Sequence, residues 1–253
     1  MLRTIQKNKK IIKNNTKIDS VYWINMDKST DRKKHMIKEL KDPLFSGMKK
    51  YRVKGVDGDK KDIIPYLNSK IENINLNKYP PNIYACLLSH LNTILKFSKS
   101  NNNNAIIFED DMSLEYKKYW KEDLNSCIQN APKDWEILQV SIFLYSKDTD
   151  LPNDMYTSSK TKLFRSCTAY IINKKGALQF LKNNYKNNKF ILDKNIEHAA
   201  DEYIYLKTKT YAYKYPYFTY TGKDSTLHSD HVKLIHIPIK QKIEKLLHNS
   251  RQL

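Results

Sequence analysis

Short apolar runs alternate with helix-forming stretches along most of this chain, and that alternation constrains its fold more than any other feature. An apolar run bounded by turn residues reads as a buried strand, whereas apolar residues spaced three and four apart make one face of a helix. SVYWIN (residues 20–25) is of the first kind and leads into MDKSTDRKKHMIKEL, where Ser29 or Thr30 can cap a helix with Asp31 in its first turn. KKYRVKGVDG predicts a second strand stopped by the turn signal Asp57-Gly58. Residues 59–82 are polar and Asn-rich up to the Pro80-Pro81 boundary, after which Leu87, Leu88, Leu91, Ile94 and Leu95 fall at helical spacing. AIIF (105–108) is a strand, and a helix is predicted over about 117–130. Strands follow at WEILQVS and RSCTAYIIN, and Asn173 can cap a helix over KKGALQFLKNN. HAADEYIY reads as the start of a short helix, and YAYKYPYFTY as a strand broken by proline. Strands interleaved with helices imply an α/β domain with a mostly parallel central sheet flanked by helices. In such sheets ligands sit beyond the carboxyl ends of the strands.

Length and composition set outer bounds. The 253 residues suffice for one domain with a substantial core. They divide into a basic lead-in over 1–18, expected to be flexible, a domain over 19–235, and a basic tail over 236–253 able to form an amphipathic helix. No apolar run is long enough to span a bilayer, and the lead-in lacks the apolar stretch of a secretory signal. Cys86, Cys127 and Cys167 are odd in number and widely spaced, which fits neither a disulfide framework nor a zinc motif and suggests a reducing compartment. A cytoplasmic location is therefore expected. The bias towards Lys, Asn, Ile and Tyr, all encoded by A/T-rich codons, suits an intracellular bacterium or a large DNA virus, so a viral factory or virion is a further expected location. The net charge of +18 favours polyanionic partners. Lysine is nonetheless spread along the chain, and no helix-turn-helix, zinc-finger or RNA-binding signature accompanies it, so specific nucleic-acid binding is not expected.

The AIIF strand runs directly into Glu109-Asp110-Asp111. Side chains alternate along an extended segment, which predicts Glu109 and Asp111 on one side and Asp110 on the other. Two carboxylates on one side can hold a hard divalent ion, Mn²⁺ or Mg²⁺, and the ion can neutralise a diphosphate. Taken without context, the same residues also suit a solvated acidic turn. Ser89 and His90, on a mostly apolar helix, read by themselves as a hydrogen-bonded core pair. Arg32 reads as an exposed helix arginine, and Asp57-Gly58 as a plain turn.

VYWINMDKSTDRKKHM, YRVKGVDG, ACLLSHLNTI, AIIFEDDM and TAYIINKKGALQFL occur in this order. Together they resemble the pattern of glycosyltransferase family 25, which includes bacterial lipopolysaccharide sugar transferases and collagen galactosyltransferases, over about residues 20–230. The resemblance implies the GT-A architecture and transfer of a hexose from a UDP-sugar to a hydroxyl acceptor, with inversion and with Mn²⁺ or Mg²⁺. The acceptor would be a carbohydrate or a hydroxylated protein. By the same resemblance, Glu109 and Asp111 would bind the metal, with Asp110 beside them. Asn25, Asp27 and Arg32 would line the nucleotide pocket, Asp57 and Gly58 would close over base or ribose, and Ser89 and His90 would position nucleotide or carboxylate. Asp201 would be the base that deprotonates the acceptor, with Glu202 as its substitute. His228, next to His231, could supply a late metal ligand, and Lys223 and Lys233 lie near enough in sequence to assist phosphate binding. The chain departs from the pattern before the Cys-x-x-Ser-His helix, where Pro81-Asn82-Ile83-Tyr84 replaces the usual glycine and acidic residue. Two other readings stand beside this one: a non-catalytic binder of nucleotide or glycan, and a basic nucleic-acid-binding protein. The acidic cluster counts against the second, because it would repel phosphate unless a metal intervened.

Overall fold

The computed structural model describes residues 17–144, 150–222 and 235–250. His228, His231, Lys223 and Lys233 lie outside the described residues.

The first described elements are β1 (Ser20–Asn25), buried along its whole length, and α1 (Thr30–Glu39), which turns Met36 inward. β2 (Lys49–Lys54) follows. The Asn-rich stretch after it is not all loop: it forms α2 (Ile63–Lys70) and the two-residue β3 (Ile71–Glu72), anchored by buried Ile63, Leu67 and Ile71. Three apolar anchors were too sparse a pattern to stand out among the polar residues. α3 (Pro81–Ser98) starts with proline in its first turn, where a missing N–H costs nothing. Next come β4 (Asn104–Glu109) and the short β5 (Met112–Ser113). The single helix expected over 117–130 is instead a 3-10 turn (Glu115–Tyr119) and a separate α4 (Leu124–Gln129). The Asp123 carboxylate accepts hydrogen bonds from Asn125 N and Ser126 N, and so starts a new helix where continuation was expected.

β6 (Ile137–Gln139), β7 (Tyr156–Ser158) and β8 (Ala169–Asn173) lead to α5 (Lys174–Asn184), capped as expected by Asn173, whose Oδ1 accepts from Gly176 N at 2.7 Å. A hairpin of β9 (Tyr185–Lys186) and β10 (Lys189–Ile191) precedes α6 (Ala200–Leu206). The proline-broken segment becomes β11 (Thr210–Tyr213) and β12 (Thr219–Tyr220), and α7 (Ile237–Ser250) is the last described element.

Among the described residues, seven strands make the central sheet in the order β2-β1-β4-β8-β6-β11-β7. β2, β1, β4, β6 and β11 run one way, while β8 and β7 run against them. The α/β class and the mostly parallel sheet are thus as the sequence predicts. Strand alternation sorts the core onto two faces. Tyr22, Ile24, Ala105 and Ile107 pack under α3, α5 and α6, and Val21, Trp23, Ile106 and Phe108 pack under α1 and α4. The register pairs Ile24 with Glu109, so β1 and β4 end side by side.

Candidate active site

Beyond the paired ends of β1 and β4 the structure opens a cleft of about 520 Å³. Its floor carries Asn25, Arg32, Glu109, Asp110 and Asp111. One wall is the start of α3 with Asn82, Cys86, Ser89 and His90, and the other is formed by Ser166, Thr168 and Asp201, with Phe143, Tyr220 and His236 at the edge.

Alternation along β4 holds as far as Glu109, which lies on the α3 face like Ala105 and Ile107. His90 Nε2 is 3.3 Å from Glu109 Oε1, and Thr168 Oγ1 donates to Oε2 at 3.5 Å. Residues 110–111 then form a turn, so the extended alternation predicted through Asp111 stops at Glu109. Asp110 is buried on the α1 side, where Asn25 Nδ2 donates to its Oδ2 at 2.7 Å and Arg32 Nε lies 3.1 Å from its Oδ1. The turn brings Asp111 to the same guanidinium, and Arg32 donates to its Oδ2 at 2.5 Å. Asp111 Oδ1 is buried with no hydrogen-bond partner among the described residues. Burial pushes the Asp111 carboxyl up to about 7, with the charges of Glu109 and Asp110 adding to the effect against the pull of Arg32. Burial likewise raises Asp110. Burial pushes Glu109 upward too, but His90, Arg32 and Thr168 outweigh it and hold the carboxyl below its usual range.

Arg52, absent from the sequence expectations, stiffens the same corner. Its Nε donates to Asn25 Oδ1 at 2.8 Å, and its guanidinium also pairs with Asp27. Asp27 is turned to Arg52 and Lys54 and does not line the cleft. Ser89 Oγ accepts from Val56 N at 2.8 Å and donates to Ala85 O, which ties the loop after β2 to α3. Gly58 rests on that helix so closely that a Cβ would come within 2.5 Å of Asn82 Cα. Only glycine allows this approach. Asp57 accepts from Lys28 at 2.7 Å.

Asp201, in the first turn of α6, faces the cleft, whereas Glu202 is buried against Arg165, itself a cleft residue, and does not line the cleft. Asp201 Oδ2 accepts from Ser166 N and Oδ1 from Glu202 N, each at 3.0 Å. Ser166 has φ +111°, a conformation L-residues rarely adopt. Tyr205 holds it by donating to Ser166 O at 2.7 Å. Backbone strain that is over-determined by its surroundings in this way is characteristic of functional clefts. Ser166, Thr168, Arg52 and the aromatic edge carry no local sequence signal, since each acquires its role only from a neighbour distant in the chain.

Carboxylates converging on a cleft at the sheet opening agree with the motif order, and the sequence profile decides the family. The profile of glycosyltransferase family 25, described as LPS biosynthesis protein, matches residues 18–204. The chain belongs to glycosyltransferase family 25. It is also similar to the crystal structure of a glycosyltransferase involved in the glycosylation of the major capsid of PBCV-1, at 9% identity and a TM-score of 0.36, over 87% of this chain and 100% of that one. No curated protein matches the chain significantly. Among the described residues, no helix is long and apolar enough to cross a membrane.

Proposed function

We propose that this glycosyltransferase moves a hexose from a UDP-sugar to a hydroxyl acceptor by inverting displacement. The observation that carries the reading is the delivery of carboxylates to one cleft from two unconnected elements: Glu109 and Asp111 at the end of β4, and Asp201 at the start of α6. The buried Oδ1 of Asp111, without a partner among the described residues and beside Glu109, fits a hard divalent ion, Mn²⁺ or Mg²⁺, with oxygen ligands. Such an ion, when bound, would neutralise the diphosphate leaving group.

The chain's own residues do the rest. Arg32 shares its charge between Asp110 and Asp111 and so limits repulsion in the cluster. Asn25, locked between Asp110 and Arg52, fixes the floor on which the nucleotide would lie. Ser89 and Gly58 hold the β2–α2 loop, with Asp57, against that nucleotide. Phe143, Tyr220 and His236 pack against one another as an aromatic edge of the cleft. Each oxygen of Asp201 keeps a lone pair beyond its backbone hydrogen bond, so the carboxylate can take the acceptor hydroxyl proton as the new glycosidic bond forms.

The test is UDP release from a panel of UDP-hexoses, with and without Mn²⁺. Metal-dependent turnover is expected, and Asp201→Asn is expected to abolish transfer while retaining donor binding. Absence of both binding and turnover with every donor would overturn the reading. Binding without turnover would make the chain a non-catalytic relative. Loss of cooperative melting in Asp201→Asn would make Asp201 an anchor for the Ser166 turn instead of a base. The acceptor class, glycan or hydroxylated protein, is addressed by supplying each to the active enzyme.

A further inference from the structure

Cys86 and His90 stand four residues apart on α3, hence one above the other on the face that borders the cleft. Glu109 meets them from the end of β4. The Cys86 thiol sulfur, a His90 ring nitrogen and a Glu109 carboxylate oxygen all lie within 4.8 Å of one another. The closest measured pair, His90 Nε2 and Glu109 Oε1, is 3.3 Å apart. Ligand bonds of about 2.0–2.3 Å at tetrahedral angles place donors roughly 3.3–3.8 Å apart, so three donors that already lie within 4.8 Å of one another need to draw in only slightly to share an ion.

Supporting contacts are in place on two of the three ligands. The Tyr170 hydroxyl sits 3.2 Å from His90 Nδ1, and Thr168 Oγ1 sits on Glu109 Oε2. In the metal-bound site Nδ1–H would donate to Tyr170, and the Nε2 lone pair would bind the ion in place of the hydrogen bond that Nε2 makes with Glu109 here. Contacts of this kind orient metal ligands and fix the histidine tautomer. Three protein ligands at a cleft wall leave the fourth position open to the cleft.

We propose that Cys86, His90 and Glu109 form a second metal site, selective for a late first-row ion such as Zn²⁺ or Co²⁺. A thiolate and an imidazole favour these ions, whereas an all-oxygen set suits Mn²⁺ and Mg²⁺. On binding, the thiol proton is released to solvent and the sulfur binds as thiolate. Glu109 belongs to both donor sets, so occupancy here removes a ligand from the oxygen site. Zn²⁺ therefore antagonises Mn²⁺ at this cleft. The cysteine-containing site rests on its own three side chains and stands whether or not the transfer reaction proposed above is correct; only the antagonism rests on that reading.

The experiment is a Co²⁺ titration of the metal-stripped full-length protein, followed by absorption. Expected are a near-ultraviolet thiolate-to-cobalt charge-transfer band saturating at one equivalent, and its loss when Zn²⁺ is added. Cys86→Ser is expected to abolish the band and His90→Gln to weaken Co²⁺ binding by about tenfold or more. Asp111→Asn is expected to retain the band, because Asp111 is not among the three ligands. No band in the folded wild-type protein would overturn the proposal, as would a band that survives Cys86→Ser. Should Cys86→Ser fail to fold, X-ray absorption at the cobalt edge of the wild type decides the matter, since the proposal requires one sulfur ligand. A band without UDP-hexose turnover would sink the transfer reading alone, and turnover without a band would sink the metal site alone.

Discussion

Asp110 binds the floor of the cleft together. Its two oxygens face Asn25 at the end of β1 and Arg32 on α1, so one buried carboxylate ties two segments to the end of β4. Asp111 shares Arg32 but keeps one oxygen without a partner among the described residues, and burial raises its carboxyl to about 7. A carboxyl whose folded value lies above its unfolded value of about 4 makes the native state hold the proton longer than the unfolded chain. The associated stability is complete below about pH 4 and is lost as pH rises through about 7. The melting temperature of the metal-free protein is therefore expected to fall from this source between those values. Asp111→Asn should flatten that dependence, as measured by calorimetry across the range, and a slope unchanged in the variant would contradict the assignment. Mn²⁺ added at pH 7 should raise the wild-type melting temperature more than that of the variant.

The loop after β2 shows how an element is held in place for function. Ser89 offers its hydroxyl to Val56 N, and Gly58 lies against the backbone of Asn82 at the start of α3. Gly58→Ala would drive a methyl into Cα and N atoms that cannot rotate away. An expected loss of about 1–3 kcal/mol should appear in denaturant unfolding, together with weaker UDP-sugar binding. Wild-type values for both would show that the loop yields freely. Among the elements, β1, β4, α3 and α5 were legible because dense apolar patterns and caps are written in contiguous residues. The break at Asp123 was not, since a helix and two shorter pieces share the same periodicity until a capping side chain chooses between them. Nor did local pattern foretell the turn at Asp110-Asp111, which follows from the pairing of both residues with Arg32.

At the scale of the molecule, α7 closes a third cluster of apolar side chains. Ile239, Ile243 and Leu247 pack with Tyr116, Leu144, Phe164 and Ala212, and Tyr116 donates to Lys240 O at 3.0 Å. The last helix is thereby joined to the turn after β5 and to β11. Ile243→Ala is expected to cost about 2–4 kcal/mol in unfolding free energy, since the side chain is almost fully buried. An effect below about 0.5 kcal/mol, the range of surface substitutions, would show that α7 is not integral to the fold. Part of the positive charge is taken up locally, as in Lys28 with Asp57 and Asp59 and Lys207 with Asp193.

The α/β class, the family motifs and the acidic cluster at a strand end can all be read from the order of residues alone. Those features reside in contiguous residues, where periodicity and spacing can be read directly. Tertiary packing settled what the cluster touches. Asn25 and Asp110 are 85 residues apart, and Arg32 and Asp111 are 79 apart. It also decided that Asp201 faces the cleft while Glu202 turns to Arg165, and that Cys86 stands with His90 and Glu109. Such contacts arise from the stacking of separate helices and strands, and no local pattern of residue types encodes them.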